Sequence, residues 1–257
     1  KALVPVHYGG VACEMEALME IAGQHGLMVV EDAAQALLSR YKDRPLGTIG
    51  HLGGLSFHET KNVISGEGGA LLVNRPELAG RAEIIREKGT DRPRFLRGEL
   101  DKYTWQDIGS SFLPSELVGA FLCAQLEHAE EIDARRKRLW ERYMELLAPL
   151  QEKGRLTLRQ APAHCQSGGH LMTVLTASPQ ERDLLLEWLN SQGIGAVFHY
   201  VPLHSSPAGR RYGRTAGKLE VTDRVSQTLI RLPLFYQMTD DDVERVTGEI
   251  EAFFRSR

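Results

Sequence analysis

Two short apolar runs with an amphipathic stretch between them constrain this chain more than any other feature. Leu3-Val4-Pro5-Val6 reads as a strand, and His7-Tyr8-Gly9-Gly10 as a turn whose glycines accept positive φ. From Cys13 to His25, Met15, Leu18, Met19 and Ala22 recur at helical spacing, and Gly26 is placed to stop the helix. Leu27-Met28-Val29-Val30 is a second buried strand ending at Glu31-Asp32. Strand, helix and strand over residues 3–6, 13–25 and 27–31 make a βαβ unit. That unit implies parallel strands and a right-handed crossover. Open sheets of this kind bind ligands beyond the strand ends, and Asp32 stands at one of them.

A second strand end follows. Tyr41 to Gly50 is a turn-rich, hairpin-like insertion, and the run ending Leu55-Ser56-Phe57 leads into a turn carrying Lys61. Taken singly, Asp32 is a turn or helix cap and Lys61 a solvated charge. Taken together, with Gln35 beside one and a glycine turn after the other, they are an amine and a carboxylate at one crevice. A lysine that attacks a carbonyl must lose its proton, which needs burial or a neighbouring positive charge. Gly66-Glu67-Gly68-Gly69 is no phosphate loop, because it lacks Gly-Lys-Ser/Thr and runs into the strand Ala70–Val73.

The rest of the chain is organised around these ends. Pro76 to Lys88 predicts a helix, and Thr90 to Asp107 a long irregular functional loop. Ser115 to Leu150 carries one long helical pattern that links a large domain, residues 1–114, to a smaller one, residues 151–257. In the smaller part, Leu171–Leu175 and Ala196–Val201 read as strands, with Leu232–Leu234 as a short extended segment. Ser178-Pro179-Gln180-Glu181 opens a helix, and Thr239 opens the last one with three acidic residues in its first turn. Arg135-Arg136-Lys137-Arg138 reads as a solvated helix face.

Bulk properties exclude several classes. A net charge of -3 gives no electrostatic case for nucleic acid or acidic membrane. Three cysteines without paired spacing argue against a disulfide framework or zinc site and suit a reducing cytoplasm. His199 and His204, five apart in a strand-turn, do not share a helical face, so a metal centre is not expected. The opening residues read as a core strand rather than a tail, so the large domain is expected to be N-terminally incomplete.

An amine and a carboxylate so placed suit pyridoxal phosphate, with Lys61 bound to the cofactor and Asp32 keeping its ring nitrogen protonated. The segments "VVEDAAQA", "SFHETKN" and "GEGGALLVN" resemble the DegT/DnrJ/EryC1/StrS sugar aminotransferases. The resemblance runs nearly the whole chain. It implies an α/β, aspartate-aminotransferase-like large domain (fold type I) with a smaller α+β C-terminal domain. "KYTWQDIGSSFLPSE" and "VFHYVPLHSSPAG" point to a subgroup that aminates a dTDP-4-keto-6-deoxyhexose for enterobacterial common antigen, with glutamate as donor.

The resemblance also implies site roles. Gln35 lies beside the cofactor ring; Ser56, and more weakly Thr60, contact its phosphate. Ser111 stands where the family usually has an asparagine that reaches the partner subunit's cofactor phosphate, so a homodimer with shared sites is expected. Related sugar dehydratases carry histidine in place of Lys61, so the lysine favours transamination. For His199, Tyr200 and His204 two readings stay open: contacts to the nucleotide sugar, or side chains hydrogen-bonded at a domain interface. The alternatives for the whole chain are an aminotransferase of other sugar specificity and a non-catalytic remnant.

Overall fold

The computed structural model describes residues 1–257 and divides into two compact units. The first is Lys1–Asp133 with Ala163–Gly168; the second is Ala134–Pro162 with Gly169–Arg257.

The first unit is built on the expected βαβ arrangement. Strand β1 (Ala2–Leu3) and strand β2 (Met28–Asp32) pair in parallel, joined by helix α1 (Met15–His25). Gly26 closes α1 in the left-handed conformation, φ 59°, and its N–H bonds back to Ala22 and Gly23. The hairpin β3 (Arg40–Tyr41) and β4 (Arg44–Pro45) turns through Lys42 and Asp43, both at positive φ. Strand β5 (Leu52–Ser56) lies parallel to β2, and β6 (Gly69–Val73) returns antiparallel to it. The sheet order is β1-β2-β5-β6.

Helix α2 (Ala79–Arg86) follows a 3-10 turn that begins at Pro76. The stretch 90–107 departs from the expected irregular loop. It holds a short helix α3 (Arg92–Leu96), with Pro93 in its first turn where a missing N–H costs nothing. The buried Asp91 carboxylate closes the stretch by accepting from Thr104 N–H at 2.6 Å and Gln106 Nε2 at 2.8 Å. Residues 115–150 form two helices, α4 (Glu116–Glu127) and α5 (Ala129–Glu152), broken at His128.

The second unit takes α5 from Ala134 onward. Its antiparallel sheet runs β10-β9-β7, from β7 (Leu156–Leu158), β9 (Met172–Thr176) and β10 (Leu229–Leu232). The two-residue strand β8 (Cys165–Gln166) lies in the first unit, paired with β3. Around the sheet pack α6 (Pro179–Ser191) and α9 (Asp240–Arg255), with α8 (Glu220–Thr228) leading into β10. Leu139, Tyr143 and Leu147 of α5 meet Leu185, Leu189, Ile230, Ile250 and Phe253 in one apolar core.

Two expectations fail here. Ala196–Val201 is not a strand: only Val197 joins the sheet, exchanging backbone bonds with Arg231 at 3.1 and 2.8 Å. Nor is the basic run wholly solvated. Arg136 is buried and donates to His170 O at 2.9 Å, while Arg135 donates to Tyr236 O and Met238 O. Only Lys137 and Arg138 face solvent.

Thr239 caps α9 reciprocally: its Oγ1 accepts from Asp242 N–H at 3.2 Å, and the Asp242 carboxylate accepts from Thr239 N–H at 2.8 Å. Thr239→Ala removes one half of this box. It should cost about 1 kcal/mol of stability, read from the urea midpoint.

Candidate active site

Strand alternation decides which acidic residue of β2 does what. Val29 and Glu31 are buried on one face, while Val30 and Asp32 point to the other and are half-buried. The Glu31 carboxylate is fully buried and fully bonded. It accepts from the backbone N–H groups of Gly47 at 2.9 Å, Ile49 at 2.6 Å and Gly50 at 2.6 Å, and from His7 Nε2 at 2.9 Å. Burial by itself would raise its pKa. The His7 bond and the three backbone donors overrule that and hold it below the usual carboxylate range.

His7 is equally buried. Burial works to lower its pKa, but contacts with Cys13 and Glu31 push it up to about 9. Cys13 N–H points at Nδ1 at 3.2 Å, which only an unprotonated nitrogen accepts. These two facts oppose one another. The backbone donor cannot turn away, so Nδ1 accepts from it and Nε2–H donates to Glu31.

On the opposite face the backbone of Asp32 is pinned from both sides. Its N–H donates to Pro5 O at 2.9 Å, and its carbonyl accepts from His7 N–H at 3.0 Å. Its Oδ1 accepts from Ala34 N–H at 3.1 Å. Across the ladder Asp32 is in register with Gly54 of β5. A Cβ on Gly54 would meet nothing nearer than Glu31 O at 3.9 Å, so open space lies beside the carboxylate. A Cβ on the preceding Gly53, which points the other way, would collide with the Gly47 carbonyl. One face of β5 is thus packed flush and the other left open.

Lys61 lies beyond the carboxyl end of β5, in a loop closed by backbone bonds. Phe57 N–H donates to Gly68 O at 2.9 Å, Glu59 N–H to Gly66 O at 2.9 Å and Lys61 N–H to His58 O at 2.9 Å. Gly66 and Gly68 take φ of 82° and 154°, which the return into β6 requires. The Lys61 side chain is half-buried. Burial disfavours its ammonium form and lowers its pKa from the usual 10.5; the negative charge of Asp32 pulls the other way. That attraction requires the two groups to be neighbours. The amine and carboxylate thus feel one another's charge beyond the carboxyl ends of β2 and β5.

The other sequence-derived residues divide. Gln35 is at the site's edge, its Oε1 accepting from Gly9 N–H at 2.6 Å. Ser56 ends β5, and its Oγ accepts from His58 N–H at 3.3 Å. Thr60 is exposed, its hydroxyl 2.9 Å from His58 Nδ1. Ser111 is exposed too, in a backbone bridge to Glu87. His199, Tyr200 and His204 belong to the second unit. There His199 is buried with its ring 3.8 Å from that of Tyr200, which is exposed. His204 Nε2 is 2.9 Å from Asp223 Oδ1. Sequence reading passed over Glu31 and His7. The signal was available: a strand that alternates faces must send one member of Glu31-Asp32 inward.

Two outcomes test this geometry. Glu31→Gln replaces one acceptor oxygen by an NH2 that faces backbone donors, so it should destabilise the protein by about 3–5 kcal/mol in urea unfolding. Reductive methylation of Lys61 with formaldehyde and borohydride should titrate below 10.5, since the neutral amine forms more readily when its charged form is desolvated. Asp32→Asn removes the opposing charge and should move that midpoint further down, as read by peptide mass spectrometry.

The chain was compared with known proteins. The profile of the DegT/DnrJ/EryC1/StrS aminotransferase family matches residues 1–251. An uncharacterized protein of Methanocaldococcus jannaschii is 32% identical over 98% of this chain and 66% of its own length. Among solved structures, DesV of S. venezuelae, in complex with a ketimine intermediate, is 32% identical with a TM-score of 0.86, covering 98% of this chain and 65% of its own. DesI, solved in the presence of its TDP-sugar product, is 28% identical with a TM-score of 0.84, covering 98% and 62%. The chain thus spans a little under two thirds of the relatives it matches. It belongs to the DegT/DnrJ/EryC1/StrS aminotransferase family and has the α/β architecture of fold type I pyridoxal-phosphate enzymes.

Proposed function

We propose that this protein is a pyridoxal-phosphate-dependent nucleotide-sugar aminotransferase that converts a dTDP-4-keto-6-deoxyhexose to its 4-amino sugar, the dTDP-4-amino-4,6-dideoxygalactose product being favoured. Glutamate is the amino donor, and the product serves cell-surface polysaccharide of the enterobacterial common antigen type. The enzyme works as a cytoplasmic homodimer; its three free thiols fit a reducing compartment. One observation carries the reading. A half-buried lysine with a lowered pKa lies beside a carboxylate on the neighbouring strand, over a face that Gly54 leaves open. Family membership and the TDP-sugar product held by DesI support the substrate class.

The residues fit the cofactor. Lys61 would bind its aldehyde carbon and Asp32 its ring nitrogen, with Gln35 at the ring and Ser56 at the phosphate. Ser111, whose exposed position suits a subunit contact, would reach the phosphate bound by the partner subunit. His199, Tyr200 and His204 are assigned to the nucleotide sugar. Bound there, pyridoxal phosphate supplies an electron sink for the bond broken at the amino-bearing carbon.

The chain's own groups supply the rest. Nζ of Lys61 would accept and return the proton moved during amino transfer, as base and then acid. Its lowered pKa raises the share of neutral amine over that of a free lysine. The Asp32 carboxylate, held by Ala34 N–H and by the strand on either side, would face the ring nitrogen and favour its protonated form.

Pyridoxal phosphate added to the protein should give a visible absorbance band, and borohydride should fix the label on Lys61. Lys61→Ala should abolish the fixed label and lower amino-sugar formation by at least about 10²-fold. A label that persists in that variant refutes the assignment. Single dTDP- and UDP-linked keto sugars, tried in turn, identify the acceptor; a product from a different keto position would replace the sugar named here.

A further inference from the structure

Two of the three thiols come together in the first unit, although they are far apart in the chain. Cys13 stands just ahead of α1, and Cys165 lies in β8, within the segment Ala163–Gly168 that packs with the first unit. That segment is tied along its length to residues 9–14. His164 Nε2 is 3.0 Å from Glu14 Oε1, and Tyr41, the register partner of Cys165, donates its hydroxyl to Glu14 Oε2 at 3.2 Å. The Tyr41 and His164 rings meet edge-on, with centroids 5.2 Å apart. Ala12 N–H donates to the Cys165 sulfur, and Ser167 Oγ donates to Gly9 O at 3.3 Å. Cys13 thus stands between two residues that both hold the stretch carrying Cys165.

The two thiols differ in access. Cys13 is half-buried, its sulfur donating to Val6 O at 3.3 Å, whereas Cys165 is buried. Burial pushes the Cys165 thiol up from its usual value; Ala12 N–H works against this, and the negative charges of Glu14 and Cys13 add to it. The two sulfurs therefore feel one another's charge. A buried, protonated thiol is slow to meet an oxidant in solvent. Beside a more accessible cysteine, it is placed to trap that cysteine's first oxidation product as a disulfide.

We propose that Cys13 and Cys165 are an oxidative modification site, a thiol pair that hydrogen peroxide converts to a reversible disulfide. The Cys13 sulfur attacks one peroxide oxygen, the O–O bond breaks and water leaves, giving a sulfenic acid at Cys13. The Cys165 sulfur then attacks the Cys13 sulfur. The S–S bond forms, the S–O bond breaks, and a second water leaves with the proton that Cys165 gives up. Two thiols lose two electrons, and one peroxide is reduced to two waters. Both cysteines are free thiols in this structure, so the bridge forms only in response to oxidant. It would fasten the segment Ala163–Gly168 to the turn whose Gly9 N–H holds Gln35. The pair is independent of the amino-transfer chemistry proposed above.

The test is peptide mapping of the full chain after treatment with hydrogen peroxide. Remaining thiols are blocked with N-ethylmaleimide in denaturant before tryptic digestion. Trypsin separates the three cysteines, with Cys13 in residues 2–40, Cys123 in 103–135 and Cys165 in 160–182. Maleimide labelling of Cys13 and Cys165 should be lost together, and a linked peptide joining 2–40 to 160–182 should appear. Dithiothreitol should abolish the link and restore both labels. In Cys165→Ser the sulfenic acid has no partner, so dimedone should label Cys13 there and not in the wild type. The wild-type map decides by itself if that variant fails to fold. Cys165 keeping its maleimide label while Cys13 stays a thiol or is oxidised further overturns the proposal. A link between two copies of residues 2–40, or from Cys13 to Cys123, overturns it as well.

Discussion

A single buried carboxylate organises the first unit. Glu31 satisfies the N–H groups of Gly47, Ile49 and Gly50 and a buried imidazole, so it ties the turn after β1 and the loop before β5 to β2. An uncompensated carboxylate in this position would cost several kcal/mol. With four donors around it, the same charge becomes a fastener whose partners lie far apart in sequence. The glycines of that loop follow from it. A Cβ on Gly50 or on Gly53 of β5 would strike the backbone of Val29 or Gly47, and one on Gly47, at φ 89°, would crowd the Leu72 side chain.

The fastening on one face sets up the chemistry on the other. Because side chains alternate, driving Glu31 inward turns Asp32 outward with no freedom to choose. The backbone bonds from Pro5 and His7 fix it in that attitude. Gly54 then matters for the opposite reason to Gly53: its missing side chain leaves room above the sheet rather than below it. Asp32 is therefore placed by strand registry, whereas Lys61 is placed by the backbone bonds of the loop that follows β5.

How much of this was legible from residues alone follows the same division. The βαβ unit, the αL stop at Gly26, the hairpin at 41–45 and the cap at Thr239 are local, written in spacing and in a few residue types, and could be read directly. That Asp32 ends one strand and Lys61 follows another was legible from the apolar runs before them. Glu31 and His7 were passed over, since a charge adjacent in sequence looks like its neighbour until the strand's two faces are separated. Arg136 was misjudged for a related reason: in a run of four cations, helix geometry must turn at least one inward, and His170's carbonyl is what receives it. The supposed strand at 196–201 had the right residues, but pairing is a property of the partner as well. Arg231 offers Val197 both its bonds, and beyond it the backbone has no neighbour to continue the ladder.

The state of Lys61 is where these constraints meet. A lysine in water keeps its proton at neutral pH; one sealed in an apolar core loses it but then offers no access to a reactant. Lys61 lies between these limits. A carboxylate within about 4–6 Å would by itself raise an amine's pKa, so the net lowering means that desolvation outweighs the attraction of Asp32. The pair is consequently not a salt bridge kept for stability. If it were, the amine would be more firmly protonated than in water, and its lone pair would be withheld from any carbonyl. The loop from Phe57 to Gly68 produces the opposite condition by leaving the lysine half-buried, where burial disfavours its ammonium form. Desolvation and the neighbouring carboxylate thus act in opposite directions on one amine, and desolvation has the larger effect.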